Sequence, residues 1–418
     1  MPLYKLNLIN FKKYFFLILF IFTFAIIFLP KLTYAADCSD INGATATISS
    51  DCTGRLDVSG DSSNITINSG VTVSGQSSSD RFAIDTTDGT NTTITNNGNI
   101  GPTNLERYGI YHDTGSGSIT KIDNKGTIEV NETGSGGVGV AIWNKSTINK
   151  IENSGTIKSN TRNGIVNGSG GAINNINNTG TIWSVQKWAI KNITGQIGEI
   201  DNSGTIKSDD EVAIRNYGVG EITTITNSGT ITADEQTIQV EAGGVINTIN
   251  NTSSGTISAS QRDGQAIRVY DEGSIIRTIN NSGTISTTLN NNNAEGNTIK
   301  VQTGGEITTI INSGTISSLG TKTNTGSIWV GDRLGSGSAT IGTITNSGDI
   351  TANSKEGSIN NHGTIGTINN SGTIENTENN DAESAGIRNA DSGTITTITN
   401  TGTITGASGI DIRNADTS

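Results

Sequence analysis

The chain has few groups that could do chemistry, and their placement argues against catalysis. Its two histidines, His112 and His362, are separated by most of the sequence. A Ser-His-Asp constellation or a zinc site needs an imidazole among partners, and neither histidine has a fitting set around it. Gly134, Gly136 and Gly139 spell G-x-G-x-x-G, but the strand-like VAIW of residues 140–143 follows where a dinucleotide fingerprint needs a helix N-terminus. The glycines read as a turn. Carboxylates gather in short clusters: Asp209, Asp210 and Glu211; Asp234 and Glu235; Asp271 and Glu272; Asp381 and Glu383. Two of them could cleave a glycosidic bond or hold calcium. None has calcium-loop spacing, so a solvated acidic edge is the plainer reading. The expectation is a chain without catalytic residues, metal or cofactor.

Binding residues are easier to name. The chain has four tryptophans. Trp143 follows Ile142 and Trp183 follows Ile182, so strand alternation turns both outward, where a Trp can stack on a sugar or anchor a partner. The two cysteines, Cys38 and Cys52, lie close together near the start, and in an exported protein a local disulfide is the default.

The elements that must hold these residues start with an export signal. Lys5, Lys12 and Lys13 precede an apolar run over residues 14–29, followed by Pro30 and Thr33-Tyr34-Ala35. The pattern predicts a secretory signal peptide over residues 1–35, cut after Ala35, because the run is short of the roughly 20 residues that span a bilayer. Asp37 before Cys38 does not suit lipoprotein processing. Beyond this segment only Phe82 remains of the eight phenylalanines, so the interior must be built from Ile and Val. The net charge of −12 becomes more negative once the leader's lysines are gone. Such a surface repels phosphate backbones and anionic lipid, which argues against nucleic acid as a partner.

One phrase then recurs to the end of the chain. Two copies are AIRNYGVGEITTITNSGTI, residues 213–231, and GIRNADSGTITTITNTGTI, residues 386–404. The leading isoleucines are Ile84, Ile110, Ile142, Ile165, Ile190, Ile214, Ile238, Ile267, Ile299, Ile328, Ile359 and Ile387, with a further start at Ile410, a period of about 27 residues. Ile-x-x-Ile could face one side of a helix, but Gly and Asn-Ser-Gly turns stand within a few positions of it in nearly every copy. Three short strands per repeat fit better. The expected fold is all-β, a parallel β-helix of about twelve to thirteen coils with four stacked Ile columns. A column of Asn is expected at 124, 153, 178, 202, 227, 281, 312, 346, 370 and 400. Residues 36–80 are expected to form an N-terminal cap, within which residues 64–73 read as an early coil. Residues 81–418 form the repetitive region, and residues 409–418 read as a coil broken off partway, as in a fragment of a longer protein.

The signal peptide, the short cysteine loop and the tandem I-x-x-I-x-N-S-G-T-I coils resemble the passenger region of Gram-negative autotransporters. The resemblance covers nearly all of the chain after residue 35. It implies a right-handed parallel β-helix carried through the inner membrane and displayed at the outer membrane or outside the cell, often as an adhesin. Its partner is then a surface receptor, a glycan or a neighbouring cell, and its only membrane link a C-terminal translocator barrel that this sequence lacks. Two alternatives stand beside it. One is a secreted carbohydrate-active β-helix using Asp209 and Asp210. The other is an ice-binding solenoid, suggested by an outward Thr column that includes Thr127, Thr156, Thr181, Thr205 and Thr230. The row two residues on, Glu129, Lys158, Trp183 and Lys207, is too mixed in size and charge for a flat lattice match.

Overall fold

The computed structural model describes residues 40–75, 82–101, 107–113, 117–131, 139–260, 264–288, 296–319, 325–332, 338–378, 384–390 and 392–413. Among these residues the chain forms β-strands and no helix. Each repeat supplies one strand to each of three parallel sheets, so that successive coils stack in a solenoid. Sheet A holds 15 strands and carries the leading isoleucines. Sheets B and C hold 14 strands each, from the Ile-x-x-Ile and the Thr-Ile segments. At ~4.8 Å between strands, the stack is about 65–70 Å long.

Register follows the sequence phrase. Ile110 lies beside Ile84 and Ile142, and the column continues without a slip from Ile165 to Ile410. One coil shows the packing: Ile165, Ile173, Ile176 and Ile182 are all fully buried. Each such side chain contributes ~1.5–3 kcal/mol relative to exposure, which offsets much of the entropy lost in ordering its coil.

The Ile-x-x-Ile spacing, which a flat strand cannot place on one face, is resolved by a local bend. In Ala172–Asn178 the two residues between Ile173 and Ile176 both face outward, and alternation then resumes. Rungs from Ser118–Asn124 to Thr364–Asn370 keep two outward residues between their buried isoleucines. The spacing that resembled a helix is thus a bent strand.

The corner between sheets B and C is as close as a polypeptide allows. Gly180 stands directly over Gly155, and a Cβ there would overlap the Gly155 carbonyl oxygen. Gly155 meets Gly126 in the same way, as does Gly204 with Gly180. The Gly of Asn-Ser-Gly is therefore required by coil-to-coil approach.

Residues 41–74 extend the same three sheets rather than forming a separate architecture. Ile41–Asn42 pairs with the Leu56–Asp61 strand, Thr45–Ile48 with Asn64–Ile67, and Cys52–Thr53 with Thr72–Ser74. Cys52 is buried and disulfide-bonded. Its expected partner Cys38 lies outside the described residues, as do residues 1–35.

Candidate functional site

Outward side chains stack in columns as regularly as the buried ones, so the candidate site is a set of faces. On sheet C the column Glu129, Lys158, Trp183, Lys207 runs in register over adjacent rungs. Trp183 does turn outward, but its ring is already engaged. The Lys158 ammonium stands 4.3 Å and the Lys207 ammonium 3.7 Å from the ring centroid. Its Nε1–H donates to Asp209 Oδ2 at 2.8 Å, while Lys207 Nζ reaches Asp209 Oδ1 at 3.2 Å. Asp209 therefore anchors the Trp183 clamp and does not stand free as one half of a carboxylate pair, whereas Asp210 is exposed.

Trp143 belongs to an aromatic group near the N-terminal end of sheet A. Tyr111 lies beside Trp143 in register, with Phe82 and Tyr108 one column away. Phe82 stacks on Tyr111 at 4.2 Å between centroids, and Tyr108 meets the edge of Trp143 at 5.6 Å. The Trp143 Nε1 is buried with no hydrogen-bond partner among the described residues. Burial and the nearby Asp113 carboxylate, which accepts from the Tyr111 hydroxyl, raise the Tyr111 pKa above its ordinary value.

The other candidates disperse. His112 is fully buried, with Nδ1 3.0 Å from Thr86 Oγ1, and burial pushes its pKa down. The His362 ring stacks on Trp329 at 4.9 Å, and Trp329 is itself only 3% exposed. Glu211 pairs with Lys187. Glu235 is pushed above the usual carboxylate range by burial and by Glu211 and Asp210. Asp271 accepts from the backbone N–H of Ala242 at 3.3 Å, and Glu272 is exposed. Asp381, Glu383, Gly134 and Gly136 lie outside the described residues. Among the described residues no group of three or more His, Cys, Asp and Glu is placed to hold a metal ion.

One face was not anticipated from the sequence. On sheet B, Thr224, Thr248, Thr278, Thr309, Thr343, Thr367 and Thr397 form a continuous outward column. The parallel column reads Thr226, Asn250, Asn280, Ile311, Thr345, Asn369 and Thr399, without a charge. Toward the N-terminal end the same sheet is charged, with Lys150 and Glu152 paired at 2.6 Å and Lys121 also on Glu152. The signal was the phrase ITTITN, whose two outward threonines on either side of the second isoleucine were visible but not followed as columns.

No family model, curated protein or solved structure matches this chain.

Proposed function

We propose that the chain is the passenger of an autotransporter, displayed at the cell surface as a stiff, non-catalytic adhesin-like rod. Its outward columns meet a receptor, a surface glycan or a neighbouring cell, and a C-terminal barrel would supply the membrane anchor. One observation carries the reading: the buried isoleucine columns hold the same residue over many rungs, while outer columns such as Glu129, Lys158, Trp183 and Lys207 change chemistry from coil to coil. The invariant interior sustains length, and the variable exterior offers many weak contacts at fixed ~4.8 Å intervals, an arrangement suited to multivalent attachment. The leader-like residues 1–35 support export.

Displayed on a non-adherent bacterium, the chain should raise attachment to cell- or glycan-coated surfaces several-fold. A folded, displayed rod that leaves attachment unchanged overturns the reading. Release of reducing ends from a polysaccharide, lost on changing Asp209→Asn with Asp210→Asn, would make it an enzyme instead. The Thr column of sheet B, with its uncharged neighbouring column, favours a second reading as an ice-binding face. Thermal hysteresis of the purified chain, absent when Thr278→Lys and Thr343→Lys are introduced, would support that reading.

A further inference from the structure

The outward face of sheet A carries an anomaly for so acidic a chain. Lys191, Arg215, Gln239 and Arg268 occupy adjacent rungs of one column. In the middle, Arg215 pairs with Glu241, whose other carboxylate oxygen accepts from Gln239 Nε2 at 2.7 Å. Glu241 is thereby spent. The cations on either side of this group, Lys191 and Arg268, make no ion pair among the described residues, and the Arg268 Nε is buried without a hydrogen-bond partner; the column continues to Lys300 on the next rung. Glu241, Asp271 and Asp332 lie near Arg268, but Glu241 is held by Arg215 and Gln239 and the two aspartates cap backbone N–H groups of the neighbouring coils, Ala242 and Thr303. Like charges stacked this closely and half-buried are costly without a counter-charge.

Each cation also has an aromatic ring. Lys191 Nζ is 3.9 Å and the Arg215 guanidinium 4.4 Å from the Trp188 ring centroid, and Arg268 lies 4.7 Å from that of Tyr270. Tyr217, at 39% exposure, stands between them. Three rung spacings separate Lys191 from Arg268, about 14 Å along the rod.

We propose that this patch binds an acidic polysaccharide lying along the rod axis, with two of its anionic groups over Lys191 and Arg268 and its sugar faces against Trp188, Tyr217 and Tyr270. The inference names a ligand class for the rod and rests on the adhesive reading above. A sparsely charged glycan fits better than nucleic acid. A duplex carries a charge every ~1.7 Å and would press that density against the neighbouring acidic corners, Asp209–Glu211 and Asp271–Glu272. Aromatic rings beside cations suit a ligand with both apolar ring faces and separated charges.

Titration gives an independent readout. Burial and the adjoining Arg215 lower the Lys191 pKa to about 8, with Arg162 adding to the effect and Glu241 and Glu211 opposing it. An anion seated on Lys191 favours the charged form, so binding at pH 8.5 draws a proton from solution, whereas at pH 6.5 the amine is already protonated.

The test is calorimetry of the full chain with polygalacturonate oligomers, with dextran and duplex DNA as comparisons. Expected are binding to polygalacturonate that weakens with salt, proton uptake at pH 8.5 but not at pH 6.5, and at least a tenfold loss with Lys191→Ala and Arg268→Ala together at unchanged melting temperature. Should that variant fold poorly, proton uptake by the unaltered chain decides. No binding, binding without uptake, binding indifferent to the two substitutions in a folded variant, or equal binding of DNA overturns the proposal. A rod that promotes attachment without binding polygalacturonate refutes this inference alone. One that binds it without promoting attachment refutes the adhesive reading alone.

Discussion

Two corners of the solenoid solve the same problem differently. Between sheets B and C an unbroken amide ladder runs from Asn96 to Asn400, each Nδ2 donating to the next Oδ1 at 2.7–2.9 Å. The same Nδ2 groups also reach backbone carbonyls, as Asn153 does at Gly155 and Thr181. Between sheets A and B the ladder is interrupted. Asn144, Asn167, Asn192 and Asn216 are linked at 2.8 Å. Val240, Val269, Val301 and Val330 then continue the column, and amides return at Asn361 and Asn389. Along the valine run the corner is held from outside: Asp271 accepts from Ala242, and Asp332 from the N–H and hydroxyl of Thr303. Interior amides are thus one way to satisfy a turn. They are uninterrupted at the corner where glycine backbones touch, as Gly180 does at Gly155.

The sharpest break in this contrast is Gly180→Ala, which drives a methyl group into the Gly155 carbonyl. It should destabilise by ~3 kcal/mol or more, read as a fall in melting temperature and in local hydrogen-exchange protection. Next comes Asn202→Ala, which removes the acceptor of Asn178 and the donor to Asn227, Gly204 and Thr230. A loss of ~2–3 kcal/mol in denaturant unfolding is expected. In the interrupted ladder, Asn216→Val only lengthens an existing valine run by one coil. It should cost about 1 kcal/mol, and a loss equal to that of Asn202→Ala would show that the corners do not differ. Last is pH. His112 stands in register with Asn144 at the head of the interrupted ladder, and burial depresses its pKa while Asp85 and Asp113 oppose that shift. The folded state prefers neutral imidazole, so this contribution is whole above the ordinary value of about 6.5 and is lost as pH falls. His112→Asn should flatten the decline in stability between pH 7.5 and 5 by under about 1 kcal/mol, measured against the parent chain.

The solenoid and its buried columns could be read from the sequence because they repeat. Every leading Ile from Ile84 to Ile410 falls in the predicted register, and the predicted Asn column is a bonded ladder. Two of its members were missed: Asn96, in the first copy, and Asn251, whose turn NTSSG is two residues longer than the others. The second amide ladder escaped because its Asn gives way to Val over four consecutive copies and was treated as a free position. What a single repeat cannot reveal is which outward residues meet. Lys158 and Lys207 flank Trp183 only because rungs stack one coil apart, and Lys191 and Arg268 align across three rungs through a column that no local motif marks. Strand alternation gave the outward direction of Trp183 but not the neighbours that occupy its ring.

Backbone hydrogen bonds in this stack run along the rod, so tension applied between its ends loads them one coil at a time. A coil that lets go advances the stack by only ~4.8 Å when folded but releases about 27 residues, roughly 90 Å of extended chain. Under pull the molecule behaves as a reel, lengthening in discrete steps while the coils behind keep their shape, and it can rewind when the load falls.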